Sequence, residues 1–281
     1  MSLEAPAEAL VRIVATALAE DLGERGDITT TSIVPAGTRM SGVIRGREAG
    51  RICGVGAIGI VVSSLPEPAS ATITVADGND IEAGGAVALL SGSARSLLTG
   101  ERVMLNLIGR LSGIATATAA AVRAVEGTGV AIKDTRKTTP GLRLLEKYAV
   151  ACGGGVNHRS GLYDAVLVKD NHIAVAGSIT AAVGRVRSAL GTAFPVQVEV
   201  DTLGQLEEAL GCGVTAVLLD NMPPELLRRA VGIVDGRCHT EASGGITLAN
   251  VRVVAETGVD SISLGWLTHS ARSLDLGLDI D

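Results

Sequence analysis

The chain opens with apolar residues at helical spacing and changes its hydrophobic period further along. Residues 6–21 are predicted to form one amphipathic helix, whose apolar stripe is Leu10, Ile13, Val14, Ala17 and Leu18. Between 39 and 92, short β-rich runs separated by Gly, Asn and Asp indicate an antiparallel sheet. Thr99 is predicted to cap a helix over ERVMLNLIGRL, and a second helix, IATATAAAVRAVEG, is predicted after the Ser112-Gly113 interruption. These two helices would connect two domains.

After residue 129 the pattern changes to apolar strands that alternate with amphipathic segments. The six predicted strands are VAIKD, AVLVKD, VQVEVD, AVLLDN, CHTEAS and SISLG. Strands that alternate with helices in this way form βα units and a parallel sheet. Because a complete βα barrel has eight strands, six strands predict an open, incomplete barrel.

Polar residues gather at the carboxyl ends of these six strands. In chain order they are Asp134, Arg136 and Lys137; Lys169 and Asp170; Glu199 and Asp201; Asp220 and Asn221; Ser243, Gly244 and Gly245; and Gly265. The carboxyl ends of barrel strands converge on one mouth, where active sites are built. Strand ends are polar in any βα protein, but that alone does not explain lysines and carboxylates at the ends of apolar runs. The sequence therefore predicts a functional mouth.

Composition and charge narrow the classes of protein that fit. No run approaches about 18 consecutive apolar residues, and the acidic N-terminal segment differs from a secretory signal, so we expect a soluble cytoplasmic protein without a membrane span. The four cysteines lack the paired spacing of zinc or redox sites and are expected to be free thiols. A net charge of −6 argues against nucleic-acid binding. Residues 133–172 nevertheless contain all four lysines and carry a net charge of +3, so an anion could bind there.

The ends of the first two barrel strands and the loop between them include five cationic or potentially cationic groups: Arg136, Lys137, His158, Arg159 and Lys169. Arginine grips a carboxylate with two parallel hydrogen bonds, and lysine acts as a point charge, so a ligand with more than one carboxylate would suit them. Buried salt bridges for the lysines and a core position for His158 are the alternatives. The remaining lysines and histidines are expected to be structural or exposed: Lys133, Lys147, His172, His239 and His269.

Two carboxylates and two glycine loops complete the predicted mouth. Glu199 and Asp220, on neighbouring strand ends, could hold magnesium, bind ribose hydroxyls or stabilise positive charge at a sugar carbon; pairing with the lysines is the alternative. The SGG run at 243–245 is predicted to lie between a strand and a helix, where backbone N–H groups bind anions. With the loop at Gly265, it would occupy the last two βα loops, which frequently hold phosphate in barrels.

Eight segments in order carry a family resemblance over nearly the whole chain. They are EDLGERGDITT, ERVMLNLIGRLSGIAT, DTRKTTPGLRLLEKYAV, HRSGLYDAVLVKDNH, VEVD, LLDNM, EASGGIT and GVDSISLG. Together they resemble the quinolinate phosphoribosyltransferase family, and DTRKTTPG and HRSGLYDAVLVKDNH are its most specific motifs. The resemblance implies an α/β fold with an N-terminal α/β sandwich domain, residues 1–112, and an open α/β barrel, residues 113–270. Residues 271–281 could rejoin the first domain.

The resemblance also implies a role for each site residue. The acceptor quinolinate would be bound by Arg102, Thr135, Arg136, Lys137, His158, Arg159 and Lys169, with Arg102 reaching in from the partner of a homodimer. The phosphoribosyl group would be bound by Glu199, Asp220, Ser243, Gly244, Gly245, Leu264, Gly265 and Trp266. Lys137, Lys169, Glu199 and Asp220 would be catalytic, and Glu199 and Asp220 would meet Mg2+ mostly through substrate and water. Assembly beyond the dimer is left open.

The implied activity is phosphoribosyl transfer from phosphoribosyl pyrophosphate to quinolinate with loss of carbon dioxide, a step of NAD biosynthesis. A related enzyme acting on a pyridine monocarboxylate is one alternative, although such an acceptor needs fewer cations. A Schiff-base lyase that uses Lys169 as its nucleophile is a second. A non-catalytic phosphate binder is the third.

Overall fold

The computed structural model describes residues 5–280, which form eleven helices and twelve strands. The first part of the chain contains α1 Ala7–Leu22, α2 Ile28–Ile33, β1 Arg39–Gly46, β2 Gly50–Arg51, α3 Gly56–Ser64, β3 Ala69–Ile73, β4 Asp80–Ile81, β5 Ala86–Ser93 and α4 Ala94–Ala124. The second part contains β6 Ala131–Lys133, α5 Arg143–Cys152, β7 Val166–Val168, α6 Asp170–Ala176, α7 Ile179–Leu190, β8 Val196–Val200, α8 Leu203–Gly211, β9 Ala216–Asp220, α9 Pro224–Val234, β10 His239–Ser243, α10 Val251–Ala255, β11 Ser261–Ser263, α11 Trp266–His269 and β12 Leu276–Ile280.

The first compact unit comprises residues 1–119, 138–154 and 266–281, and is built on an antiparallel sheet. Its strands lie in the order β12-β1-β5-β3, so the final strand returns to pair with β1. Helix α3 packs on β3, and α1 buries Leu10, Val14 and Leu18 while packing on α3. The predicted antiparallel sheet and the predicted helix over 6–21 are confirmed.

Helix α4 differs from the prediction of two helices interrupted at Ser112-Gly113. It runs unbroken from Ala94 to Ala124, with Thr99 inside it rather than at its start. A Cβ atom at Gly113 would collide with the backbone carbonyl of Arg272, and one at Gly109 would lie 3.0 Å from the carbonyl oxygen of Leu274. The glycines are therefore required for close approach of the C-terminal segment to α4, and they do not end a helix.

The second compact unit comprises residues 120–137 and 155–265, and contains the predicted parallel sheet. All six predicted strands are present, in the order β6-β11-β10-β9-β8-β7, and each neighbouring pair is parallel. Within residues 5–280 the edge strands β6 and β7 do not pair with each other, so the sheet does not close. The predicted open α/β barrel is confirmed.

Alternation along the strands places different chemistry on the two faces of this sheet. On β8, Val196, Val198 and Val200 are buried, whereas Gln197 and Glu199 between them are partly exposed. On β10, Glu241 and Ser243 share one face because side chains alternate with a period of two. On β8 and β10 this face is thus polar, unlike the branched apolar layers that fill an ordinary βα barrel.

The domain limits predicted at residues 112 and 113 stay a prediction; helix α4 runs through that position and contributes to both compact units.

Helix α4 is also long and apolar enough to cross a membrane, but 67% of its apolar window is buried in the protein, as in a core helix. Helices α6 and α7 pass the same test only as a pair bent by 89°.

Candidate active site

One pocket of about 340 Å³ in the second unit collects most of the predicted site residues. Nine of them line it: Thr135, Arg136, Lys137, His158, Arg159, Lys169, Glu199, Asp220 and Ser243. They come from the ends of β7, β8, β9 and β10, from the segment that follows β6, and from the segment between α5 and β7. The predicted convergence of polar strand ends on one mouth is confirmed by this geometry.

The lining differs from the prediction in two ways. Four residues that were not predicted line the pocket, and six predicted residues are absent from its lining. The unpredicted four are Leu167, Leu218, Glu241 and Ser263. The predicted residues absent from the lining are Arg102, Gly244, Gly245, Leu264, Gly265 and Trp266. Arg102 is exposed on α4, and Trp266 begins α11, both in the first unit. Leu264 is buried and donates its backbone N–H to the Lys133 carbonyl at 2.9 Å.

The cationic side of the pocket is dominated by two arginines. The Arg159 side chain is part-buried, and its Nη1 donates to the Ala165 carbonyl at 3.0 Å. Burial, and next to it the charge of Arg136, lower the pKa of Arg159 from its ordinary value. Two guanidinium groups held close in a partly desolvated pocket repel each other, and a bound anion would relieve that repulsion.

Lysine and carboxylate groups meet at the ends of β7 and β8. Lys169 Nζ lies 2.9 Å from Glu199 Oε2, with 46% of the lysine side chain and 13% of the glutamate side chain exposed. The predicted alternative of lysine–carboxylate pairing is therefore present, inside the pocket. Asp220, one strand further along, accepts a hydrogen bond from Asn221 Nδ2 at 2.7 Å.

The floor of the pocket is formed by Glu241, which is fully buried on β10. Its Oε2 accepts hydrogen bonds from Lys133 Nζ at 2.8 Å and Gln197 Nε2 at 3.2 Å, while Oε1 faces His158 Nε2 at 3.4 Å. Burial raises the pKa of Glu241, and His158, Lys133 and Gln197 lower it by more, so the pKa lies below its ordinary value. A buried carboxylate is stable only with such partners.

The loop that carries Arg136 and Lys137 is anchored by buried carboxylates near both of its ends. Asp134 at its start is fully buried and accepts the backbone N–H of His158 at 2.8 Å. Further on, Glu146 of α5 accepts the backbone N–H of Thr139 at 2.9 Å and pairs with Arg110 at 2.8 Å. Acidic residues of this kind leave no local signal in the sequence, because their partners are distant in the chain.

The glycine loop after β10 differs from the predicted strand–glycine–helix arrangement. Helix α10 begins only at Val251 and has five residues, so Gly244 and Gly245 do not open a helix. Instead, Asn250 closes a turn: its Oδ1 accepts the Thr247 N–H at 2.7 Å, and its Nδ2 donates to the Gly245 carbonyl at 3.2 Å. Gly244 has φ +91°, and a Cβ there would collide with the side chain of Asn221.

The carboxylates of the pocket are suited to a metal that is bound mainly through substrate. Glu199 and Asp220 both line it, and hard divalent cations need only one or two protein carboxylates when phosphate oxygens supply the rest. Among residues 5–280, no three His, Cys, Asp or Glu side chains are grouped as a complete metal site. The donor set therefore fits magnesium bound together with a phosphorylated ligand.

Comparison with known sequences identifies two family regions in the chain. Residues 27–112 match the N-terminal domain of quinolinate phosphoribosyl transferase, and residues 114–279 match its C-terminal domain. A probable nicotinate-nucleotide pyrophosphorylase [carboxylating] of Bacillus subtilis is 46% identical over 93% of this chain and 90% of its own. The nicotinate-nucleotide pyrophosphorylase [carboxylating] of Mycobacterium leprae is 47% identical over 94% of both chains.

Solved structures agree with these matches. The nicotinate-nucleotide pyrophosphorylase of Ehrlichia chaffeensis has a TM-score of 0.93 at 43% identity, covering 96% of this chain and 98% of its own. That of Francisella tularensis has a TM-score of 0.94 at 37% identity, covering 99% and 98%. Human nicotinic acid phosphoribosyltransferase, with a TM-score of 0.59 at 13% identity and 96% and 73% coverage, shares the fold alone. The chain belongs to the quinolinate phosphoribosyltransferase family.

Proposed function

We propose that the protein transfers the phosphoribosyl group of phosphoribosyl pyrophosphate to quinolinate and decarboxylates the product, as a step of de novo NAD biosynthesis. The products are nicotinate mononucleotide, pyrophosphate and carbon dioxide. One observation carries the proposal: a single pocket combines the cationic groups of Arg136, Arg159 and Lys169 with the carboxylates of Glu199 and Asp220. The carboxylating activity in the names of the relatives supports the same reaction.

Acceptor binding follows from the charge of the cationic side. Quinolinate carries two adjacent carboxylates, and Arg136 and Arg159 are the planar groups that can each grip one of them with paired hydrogen bonds. Burial and, after it, repulsion from Arg136 lower the pKa of Arg159, and a bound dianion offsets that repulsion. Lys169 adds a mobile charge next to them.

Transfer of the sugar requires stabilisation of a cationic carbon. The ring nitrogen attacks C1 of the ribose as the C1–pyrophosphate bond breaks, and the leaving group departs with the electron pair. Glu199 and Asp220, on adjacent strands, would place negative charge beside the oxocarbenium-like centre, and Lys137 would neutralise the leaving pyrophosphate. Holding both substrates in one pocket replaces an encounter in solution by a reaction within a complex.

Magnesium supports this step when bound, by neutralising pyrophosphate charge. We propose that magnesium would be held mainly by the substrate and water, and that Glu199 and Asp220 are the residues that would hold it from the protein side. The 5-phosphate would bind at Ser243, which lines the pocket, and at backbone N–H groups of Gly244, Gly245 and Gly265. The left-handed backbone of Gly244 and Gly245 is typical of loops whose N–H groups form an anion nest.

Decarboxylation then follows from the chemistry of the product. The bond between C2 and its carboxylate breaks, the electron pair remains at C2 beside the quaternised nitrogen, carbon dioxide leaves, and C2 takes up a proton. The positive ring nitrogen is the electron sink for this step.

The alternatives fit the pocket less well. A pyridine monocarboxylate would leave one of the two arginines without a carboxylate to bind. A Schiff-base lyase needs a neutral amine, whereas Lys169 forms an ion pair with Glu199 at 2.9 Å. Trapping of a borohydride-stable adduct on Lys169 would favour the lyase.

We also propose that the protein is a cytoplasmic homodimer in which Arg102 completes the neighbouring acceptor site. Arg102 is exposed on α4 and is not among the residues that line the pocket of the second unit. In this proposal a third arginine for the dianion comes from a partner chain, as the family resemblance of the ERVMLNL segment implies.

The direct test is turnover of quinolinate with phosphoribosyl pyrophosphate and magnesium, following nicotinate mononucleotide and carbon dioxide, with nicotinate as a parallel acceptor. Both products from quinolinate alone support the proposal. Reaction of nicotinate but not quinolinate would retain the transferase and refute the dianion pocket. No turnover by the folded protein with either acceptor would favour a binding protein.

A further inference from the structure

Glu241 is the most buried charged group that lines the acceptor pocket. Binding of a dianion explains neither its negative charge nor its position. Its side chain has no exposed surface, yet it lines the pocket floor. A carboxylate beneath a dianionic ligand would weaken binding unless it served another group. Its nearest groups are Lys133, Gln197 and His158, all of the second unit.

The hydrogen bonds of His158 define which of its ring nitrogens carries the proton. Nδ1 accepts the backbone N–H of Arg159 at 2.7 Å, so Nδ1 has no proton in this arrangement. The ring proton then lies on Nε2, 3.4 Å from Glu241 Oε1; the two atoms are at ion-pair distance, and Oε1 itself has no hydrogen-bond partner. A hydrogen bond at one ring nitrogen of histidine sets the tautomer at the other. Glu241 and the Arg159 backbone thus favour the same tautomer from opposite sides of the ring.

We propose that Glu241 is a positioning residue for the acceptor site: the negative charge of its unsatisfied Oε1, 3.4 Å from His158 Nε2, keeps the ring proton on Nε2 and so holds the imidazole in the tautomer that fixes the backbone of Arg159. This inference rests on the proposed function, since Arg159 is one of the groups assigned to the quinolinate carboxylates. Lys133 has a separate task, because its ammonium compensates the buried charge of Glu241 at 2.8 Å.

The substitution Glu241→Gln tests the inference because a carboxamide has one acceptor oxygen where a carboxylate has two. Lys133 and Gln197, which already donate to one oxygen of Glu241, would occupy both lone pairs of the carboxamide oxygen and leave none for His158. The amide NH2 would then face His158 Nε2, which must lose its proton. The proton would move to Nδ1 and conflict with the N–H of Arg159.

The matched rescue is the double variant Lys133→Met with Glu241→Gln. Removing the ammonium frees one lone pair of the carboxamide oxygen beside the hydrogen bond from Gln197, so that the oxygen can accept from His158 Nε2–H, which restores the original tautomer. The pair also remains electrically balanced, so the double variant keeps the test usable where the single variant does not fold. Glu207→Gln, at an exposed position of α8 in the same unit, is the control.

Two readouts are measured on each folded variant. Nitrogen NMR of 15N-histidine protein reports the tautomer of His158 among the four histidines of the chain. Calorimetric titration with quinolinate, without phosphoribosyl pyrophosphate, reports the dissociation constant of the acceptor. We expect an Nε2–H ring in the wild type, the control and the double variant, and an Nδ1–H ring in Glu241→Gln. Quinolinate should bind Glu241→Gln about tenfold more weakly, equivalent to loss of one positioned charged hydrogen bond, and the double variant should recover most of this.

The outcomes separate the inference from the proposed function. Unchanged tautomer and quinolinate affinity in Glu241→Gln would overturn the positioning role while leaving the function intact. A double variant that is folded but shows no recovery would also overturn it, since a general packing defect gives that result. If the tautomer shifts as expected but the wild type does not bind quinolinate, the positioning of His158 stands and the proposed function falls.

Discussion

Arg159 has a positive charge, a planar guanidinium group and a hydrogen bond to the backbone. Substitution can distinguish the effect of the charge from that of the planar geometry. Its guanidinium donates to the Ala165 carbonyl at 3.0 Å while it lines the pocket beside Arg136. Lysine keeps the positive charge but lacks the planar fork, so it cannot hold that carbonyl and a carboxylate together. The residue therefore acts through geometry as well as through charge.

We expect Arg159→Lys to raise the KM for quinolinate about ten- to a hundredfold, because a charged hydrogen bond contributes about 1.5–3 kcal/mol. The KM for phosphoribosyl pyrophosphate should change by less than about threefold, because the residues proposed to bind that substrate lie on other strands. Steady-state kinetics with each substrate varied would measure both constants. Arg185→Lys, at an exposed position on α7, serves as the control. Equal increases in both constants would contradict the assignment of Arg159 to the acceptor.

Among the elements, α2 is a short helix whose start depends on one carboxylate. Asp27 Oδ1 accepts the Thr30 N–H at 2.8 Å, and Oδ2 accepts from Thr99 Oγ1 of α4 at 2.9 Å. The hydrogen bonds from Thr30, and then that from Thr99, lower the pKa of Asp27 below its ordinary value. The negative form therefore stabilises the fold above the unfolded pKa, near 3.8, and this contribution is lost as pH falls through the lower folded pKa.

Asp27→Ala should lower the free energy of unfolding at pH 7 by about 1 kcal/mol, the usual effect of losing a helix cap. The difference between wild type and variant should shrink as the pH is lowered below about 4, because the wild-type carboxylate becomes protonated. Urea unfolding at pH 7 and at acid pH would measure it. A difference that stays constant down to about pH 2 would show that the cap does not act through its charge.

Glycines in two helices of the first unit should respond in opposite directions to alanine. At Gly59, inside α3, an added Cβ would have no other atom within 4 Å, whereas a Cβ at Gly113 would meet the Arg272 carbonyl and Ser273 Cα. Gly59→Ala should raise the free energy of unfolding by about 0.5–1 kcal/mol, since alanine favours a helix. Gly113→Ala should lower it, because displacing packed backbone costs about 1–3 kcal/mol, more than the helical gain. Denaturant unfolding of both variants would decide, and stabilisation by Gly113→Ala would refute the close packing.

The same glycine shows why α4 could not be predicted correctly from local pattern. Gly113 follows a serine and has the appearance of a helix break, but its cause is the C-terminal segment at 272–273, far away in sequence. The six parallel strands could be predicted, because an apolar run that ends in polar residues is a local signal. The start of α10 was missed because the side chain of Asn250 closes a turn that glycine content alone does not reveal.

The candidate site, like the fold, could be predicted where the signal is local in the sequence. Residues at strand ends, such as Lys169 and Asp220, were found because polar groups there stand out from apolar neighbours. Glu241 was missed because it lies inside a strand rather than at its end, although it alternates onto the same face as Ser243. That period of two was the one signal in the sequence that could have identified it. Its buried partners, Lys133 and Gln197, come from other strands.

At the scale of the whole molecule, the proposed dimer predicts that one chain alone cannot form a complete active site. If Arg102 acts in the neighbouring pocket, each complete site contains Arg102 of one chain and Lys169 of the other. Arg102→Ala and Lys169→Ala should each reduce turnover strongly as homodimers. Both residues are exposed, so neither substitution should prevent folding.

A heterodimer of the two variants, purified through two different tags after co-expression, distinguishes the arrangements. One of its two pockets would receive an intact Arg102 and keep an intact Lys169, so about half of the wild-type turnover per dimer should return. The control is a heterodimer of Lys169→Ala with Glu199→Gln, whose altered residues line the same pocket within one chain. Each of its sites then carries one defect, and no recovery is expected. Recovery in the control, or none in the test pair when light scattering shows a dimer, would mean that Arg102 does not act across the interface.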